Sequence, residues 1–219
     1  MPTLPLPLPL LDGALCVAML LVALLFKPWR VLLHPPLQSP WLGALVLLPA
    51  IWWMQHFLPS AMSLRMGGAC LLVLMFGWPL AMWTLLPVAF STAWLTQRGW
   101  PALAPTVHQL VWVGMLPGTL GLLLGLLVRR VLPHHLFVYI LGRSFFGTAL
   151  AITASGLLAA LTAQRPDSLG LDEWMLGYWL LGWGEAISTG MLTAIFVAFK
   201  PHWLLTYSDA RYLPQDRPR

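Results

Sequence analysis

The apolar runs of this sequence carry few side chains able to do chemistry. Glu185 stands near the middle of the run 174–199, inside Gly182-Trp183-Gly184-Glu185-Ala186-Ile187-Ser188-Thr189-Gly190. An ionisable group at membrane-interior depth costs about 2.5 kcal/mol or more, so it faces a partner, a cavity or a pathway. Gly182, Gly184, Ser188 and Gly190 around it let neighbouring helices approach closely. Arg143, about two turns into the run 136–163, pairs with Glu185 or snorkels its guanidinium to the interface. Asp12, at the start of the first run, reads as a helix cap rather than a ligand.

A second constellation is softer. Met54, His56, Met62, Met66 and Cys70 fall within 17 residues, and His108 opens a later run expected on the same side. Thioether, thiol and imidazole together suit a soft ion such as Cu(I). The other reading of the same residues is packing and lipid contact, with His56 at the interface. His134-His135 are expected on the opposite, cytoplasmic face, with His34 and His202 on that same face, and form either an exit site or loop residues beside headgroups. Cys16 and Cys70 both lie in apolar runs and imply no disulfide framework.

Enzyme motifs are absent: there is no Gly-x-Ser-x-Gly, no Walker A loop and no His-Glu-x-x-His. The chain reads as a non-enzyme, with no permanently bound cofactor. Any ATP-driven work needs nucleotide sites on other subunits.

The elements that hold these residues follow from composition. Of 219 residues, 59% are hydrophobic and 9% charged, against about 25% charged in soluble domains. That composition predicts an all-α, polytopic transmembrane helix bundle in contact with membrane lipid. Thirteen tryptophans fit interfacial belts. The +5 net charge is scattered over loops and ends, which excludes a nucleic-acid-binding face.

Apolar runs at about 11–26, 41–58, 66–95, 107–128, 136–163 and 174–199 set the topology. Gly77-Trp78-Pro79 interrupts the third run, which is then one kinked span or two short ones. Seven spans with the N-terminus outside put eight basic residues on the cytoplasmic side and three outside. Six spans divide them seven to four. The positive-inside rule favours seven, a multi-pass protein of the bacterial inner membrane with its C-terminus cytoplasmic. Residues 1–203 form the membrane domain and 204–219 a polar cytoplasmic tail.

Several segments resemble the CbiM/NikM-type substrate-capture components of energy-coupling factor (ECF) transporters for cobalt and nickel. Leu71-Leu72-Val73-Leu74-Met75-Phe76-Gly77-Trp78-Pro79-Leu80-Ala81 is similar to the broken segment of those proteins. Val113-Gly114-Met115-Leu116-Pro117-Gly118, followed by Arg129-Arg130, resembles their Met-x-x-x-Gly-Pro segment and basic loop. Thr189-Gly190-Met191-Leu192-Thr193-Ala194 looks like their final-helix Glu-Gly-Leu-x-Thr-Ala. The resemblance implies a permease subunit that passes a transition metal ion, as cargo, to an ECF transmembrane scaffold and ATPase partners.

The departures concern the cargo. The family's N-terminal Met-His metal motif is missing, since residue 2 is Pro2. No histidine stands in Leu64-Arg65-Met66-Gly67-Gly68, where the family carries its second one. Glu185 lies four residues before the family's final-helix glutamate position, Thr189, on the same helical face. A membrane scaffold or assembly factor that kept the fold and lost the metal site is the alternative.

Overall fold

The computed structural model describes residues 7–55, 65–97, 99–133, 135–162 and 169–212. The regular elements among them are all helical. The main helices are α1 (Pro7–Leu25), α2 (Pro35–Met54), α3 (Ala69–Gln97), α4 (Leu103–Gln109), α5 (Leu116–Val131), α6 (Gly147–Leu161), α7 (Leu171–Phe199) and the short α8 (Asp209–Tyr212). A π-helical segment, Leu110–Met115, joins α4 to α5, and a second, Val138–Phe146, leads into α6. Five helical stretches are long and apolar enough to cross a membrane: Pro35–Met54, Ala69–Gln97, Leu103–Val131, Val138–Leu161 and Leu171–Phe199. α1 is apolar but shorter. This is the make-up of a multi-pass membrane protein.

The burial pattern is turned inside out relative to a water-soluble domain. Asp12, Arg143 and Glu185 are buried, while Leu25, Val46, Leu161 and Phe199 stand outward. Ionised side chains are almost never fully buried in soluble proteins unless paired. Here the outward positions on the long helices are aliphatic and aromatic, as a hydrocarbon solvent requires.

Local sequence explains where the helices start. α1 and α2 begin at prolines, whose missing N–H costs nothing in a first turn. In α7 the Gly170 N–H donates to Glu173 Oε2 at 3.1 Å, and Asp172 and Glu173 oppose the positive end of the helix dipole. Close packing runs through glycines. Gly182 lies on the Ala149 carbonyl of α6, Gly156 lies under the Tyr178 ring, and Gly190 meets the Phe145 ring.

α3 is one stretch of helix in sequence but two in direction. Gly77 adopts φ 75°, ψ 160°, a region open essentially to glycine alone. The neighbours on either side of it show a reversal. A Cβ at Gly118 of α5 would stand within 3.4 Å of Ala69, Val73 and Met82 side chains together. An unbroken helix would hold Ala69 and Met82 roughly 20 Å apart. Before the break, Gly67 meets Val113 and Cys70 meets Gly121, running with α5. After it, Trp78 bonds Thr119 and Leu85 meets Gly114, running against α5.

The break also needs donors. Pro79 has no N–H to offer the Met75 carbonyl. Leu205 supplies one, its N–H donating to Met75 O at 2.9 Å, while the Thr206 N–H and hydroxyl both reach Leu74 O. Tyr139 and Thr206 share a hydroxyl hydrogen bond of 2.8 Å, and Leu204, Tyr207 and Tyr212 are buried. The first part of the tail expected to be polar is therefore packed into the bundle as a strap across the broken helix.

Candidate functional site

α3 begins with a loop that enters the bundle, and the described residues of that loop carry no side chain able to cap a helix. Residues 65–68 are Arg65-Met66-Gly67-Gly68, so the orphan amides at the start of α3 need acceptors from elsewhere. Glu185 of α7 provides them. Its Oε2 accepts the Gly67 N–H at 2.8 Å and its Oε1 the Gly68 N–H at 3.0 Å. The carboxylate thus sits at the positive end of the helix dipole, where negative charge is stabilised.

The rest of the loop's backbone is satisfied from α2. The Trp52 indole N–H donates to Gly67 O at 3.1 Å, and Gln55 Oε1 accepts the Met66 N–H at 2.9 Å. Irregular backbone at membrane depth is tolerated only when protein groups satisfy it in this way. Two glycines make the loop possible. Gly68 has φ +65°, and any Cβ on Gly67 would run into the Val113 carbonyl of the π segment. A small cavity of about 20 Å³ lies beside this loop, bordered by Arg65, Trp112, Ser155 and Tyr178.

A second polar cluster sits where α1 meets α4. Asp12 is fully buried and accepts from both neighbours: Oδ2 lies 2.7 Å from His108 Nδ1 and Oδ1 accepts the Trp112 indole N–H at 2.7 Å. α1 begins at Pro7, so Asp12 stands inside the helix, and the expected cap is corrected to a tertiary anchor. His108 remains partly exposed. With Nδ1 engaged by the carboxylate, Nε2 is the ring nitrogen left for solvent or a ligand, the arrangement that also orients metal-bound histidines.

The other side chains singled out in the sequence have separate settings. Met54 faces outward, and His56 and Met62 lie outside the described residues. Met66 is half-buried in the loop, and Cys70 is buried one turn on, its thiol directed at the Pro117 carbonyl 3.6 Å away. Among the described residues, no three His, Cys, Asp or Glu side chains are grouped to hold a metal. His134 lies outside the described residues, and His135 stacks on Phe137.

Arg143 does not pair with Glu185, whose two oxygens face the loop amides. It is buried instead of snorkelling, with its guanidinium 5.8 Å from the centre of the Tyr139 ring and its stem against Gly125. Sequence reasoning missed the pairing of Asp12 with His108 and Trp112, and it missed Trp52 and Gln55 as partners of the loop. For Asp12 a signal existed: His108 and Trp112 are four residues apart, and a lone carboxylate in an apolar run needs donors. No protein-family model, curated protein or solved structure matches the chain.

Proposed function

We propose that this chain is the substrate-capture permease subunit of an energy-coupling transporter, one that moves a transition metal ion across the bacterial inner membrane. The observation that carries the reading is the Glu185 carboxylate holding the amides of Gly67 and Gly68 at the start of a half-length helix. Discontinuous helices whose ends meet inside the bundle are the usual way transporters build a midplane site. In the CbiM/NikM-type proteins that the chain resembles, the second metal histidine falls in the corresponding loop and a glutamate in the final helix; the loop histidine and the N-terminal Met-His pair are missing here, and Glu185 lies one turn before the glutamate position.

The topology belongs to this proposal. The two halves of α3 are counted as separate passes, giving seven, with the amino end outside and the carboxyl end cytoplasmic. Support comes from the reversal at Gly77, from Lys27, Arg30 and Lys200 after α1 and α7, and from Arg129 and Arg130 in the last turn of α5. Scaffold and ATPase subunits would dock at that basic end.

Metal analysis of protein purified in detergent tests the cargo, with cobalt, nickel and Cu(I) offered in turn. Near-stoichiometric retention, lost in His56→Ala or Cys70→Ser, is the expected result. If no metal is retained, the alternative holds: a non-transporting scaffold or assembly factor. One observation favours it, since the cavity beside the loop is bordered by the Arg65 guanidinium, whose charge repels a divalent cation.

A further inference from the structure

Arg143 is the charge that the capture reading leaves unused. It is buried, and among the described residues no carboxylate or carbonyl accepts from it; its one contact of charge is the Tyr139 ring. A guanidinium carries five donors in a fixed fork and cannot lose its proton. Buried membrane arginines are otherwise found paired. This one faces two openings. On its inner side lies a water-sized cavity bordered by Cys70, Gly121 and Thr148, whose hydroxyl also lacks a hydrogen-bond partner. On its outer side lies a pocket between the end of α5 and the second π segment, lined by Val128, Arg129, Leu132, Val138, Tyr139 and Tyr212.

The outer pocket is small, about 10 Å³, with room for one oxygen-sized group. Buried Arg143 and exposed Arg129 both line it, together with Tyr139 of the π segment and Tyr212 of the strap. The π segment helps to make it, because it carries Tyr139 and Arg143 four residues apart towards the same space. The outward positions of the same two segments are apolar: Leu127, Val131, Leu132 and Leu141 are all exposed, and Leu132 also lines the pocket. A guanidinium is selective for phosphate oxygens. An apolar surface next to it fits acyl chains, and basic pockets between membrane helices near one face bind acidic headgroups.

We propose that the headgroup phosphate of an anionic phospholipid sits over this pocket, beside Arg129, with one oxygen directed in towards Arg143. The bound lipid completes the charge balance of the α5–α6 end and ties it to the strap through Tyr139. The inference does not depend on what the protein transports.

Native mass spectrometry of the full chain released from vesicles tests it. In mixed phosphatidylglycerol and phosphatidylcholine, the wild-type chain should retain one phosphatidylglycerol. Arg129→Gln should cut that retention about fivefold, the change expected for one arginine near an acidic surface. Arg130→Gln, equally exposed and one residue on but outside the pocket, should leave it unchanged. Arg143→Gln should abolish retention and Arg143→Lys restore part of it; if neither folds, the Arg129 and Arg130 pair still decides. Equal retention in the Arg129 and Arg130 variants, or no preference for phosphatidylglycerol, overturns the proposal. Millimolar inorganic phosphate that displaces no lipid supports a lipid site. Stoichiometric phosphate binding in lipid-free detergent without lipid retention overturns the lipid assignment.

Discussion

Each intramembrane carboxylate here is spent on two donors, and that makes its removal costly in a specific way. Glu185→Ala strands the Gly67 and Gly68 amides, and a buried unsatisfied donor costs roughly 1–3 kcal/mol. Thermal unfolding in detergent should therefore fall clearly for Glu185→Ala. It should fall less for Glu185→Gln, which keeps one acceptor but turns an NH₂ towards an N–H. Equal melting of wild type and Glu185→Ala would remove the carboxylate from the loop. Trp112→Phe is the matching probe at Asp12: one hydrogen bond to a charged group goes, with a loss of about 1.5–3 kcal/mol. At this scale the sequence was half legible. That Glu185 needs partners follows from its depth, whereas Asp12, at the start of its run, reads from sequence as a helix cap. Which partners they take depends on contacts 118 and 100 residues away in the chain, and no local pattern records those.

At the scale of elements, the broken helix is the feature most open to test. Gly77 holds a conformation that costs other residues about 1–3 kcal/mol, so Gly77→Ala should lower the melting temperature and loosen the strap. Limited proteolysis near residues 204–212 would report the loosening; an unchanged pattern would argue that the turn is not strained. The strap has its own pH signature. Burial and the Asp209 carboxylate, with Tyr212 adding a little, push the Tyr207 phenol up to about 12. A raised folded-state pKa means that the packed form keeps the proton. The stabilisation is complete below the ordinary tyrosine value near 10 and is lost as pH climbs from there towards 12. Tyr207→Phe should flatten that alkaline loss, read from melting curves between pH 9 and 12. The apolar runs and the Gly77-Trp78-Pro79 interruption were readable because length, hydropathy and proline chemistry are local. The reversal was not, because it depends on amides from residues 205 and 206 that close the carbonyls of Leu74 and Met75.

For the whole molecule, a helix bundle with an apolar exterior was legible from composition alone, since 9% charge leaves little to face water. Tags that report from opposite compartments at the two termini are the expected outcome of a topology assay; the same compartment for both would defeat the seven-pass proposal. Of the candidate metal ligands, Met54, Cys70 and His108, close in sequence or expected on one side, each answer to different neighbours. One consequence concerns biogenesis. Residues 205 and 206 leave the ribosome well after α3, yet they close its break, so that helix stays incomplete while α4 to α7 are being inserted. Nascent chains stalled before Leu204 should remain clients of the insertion machinery and its quality-control proteases, and only a further handful of residues should release them.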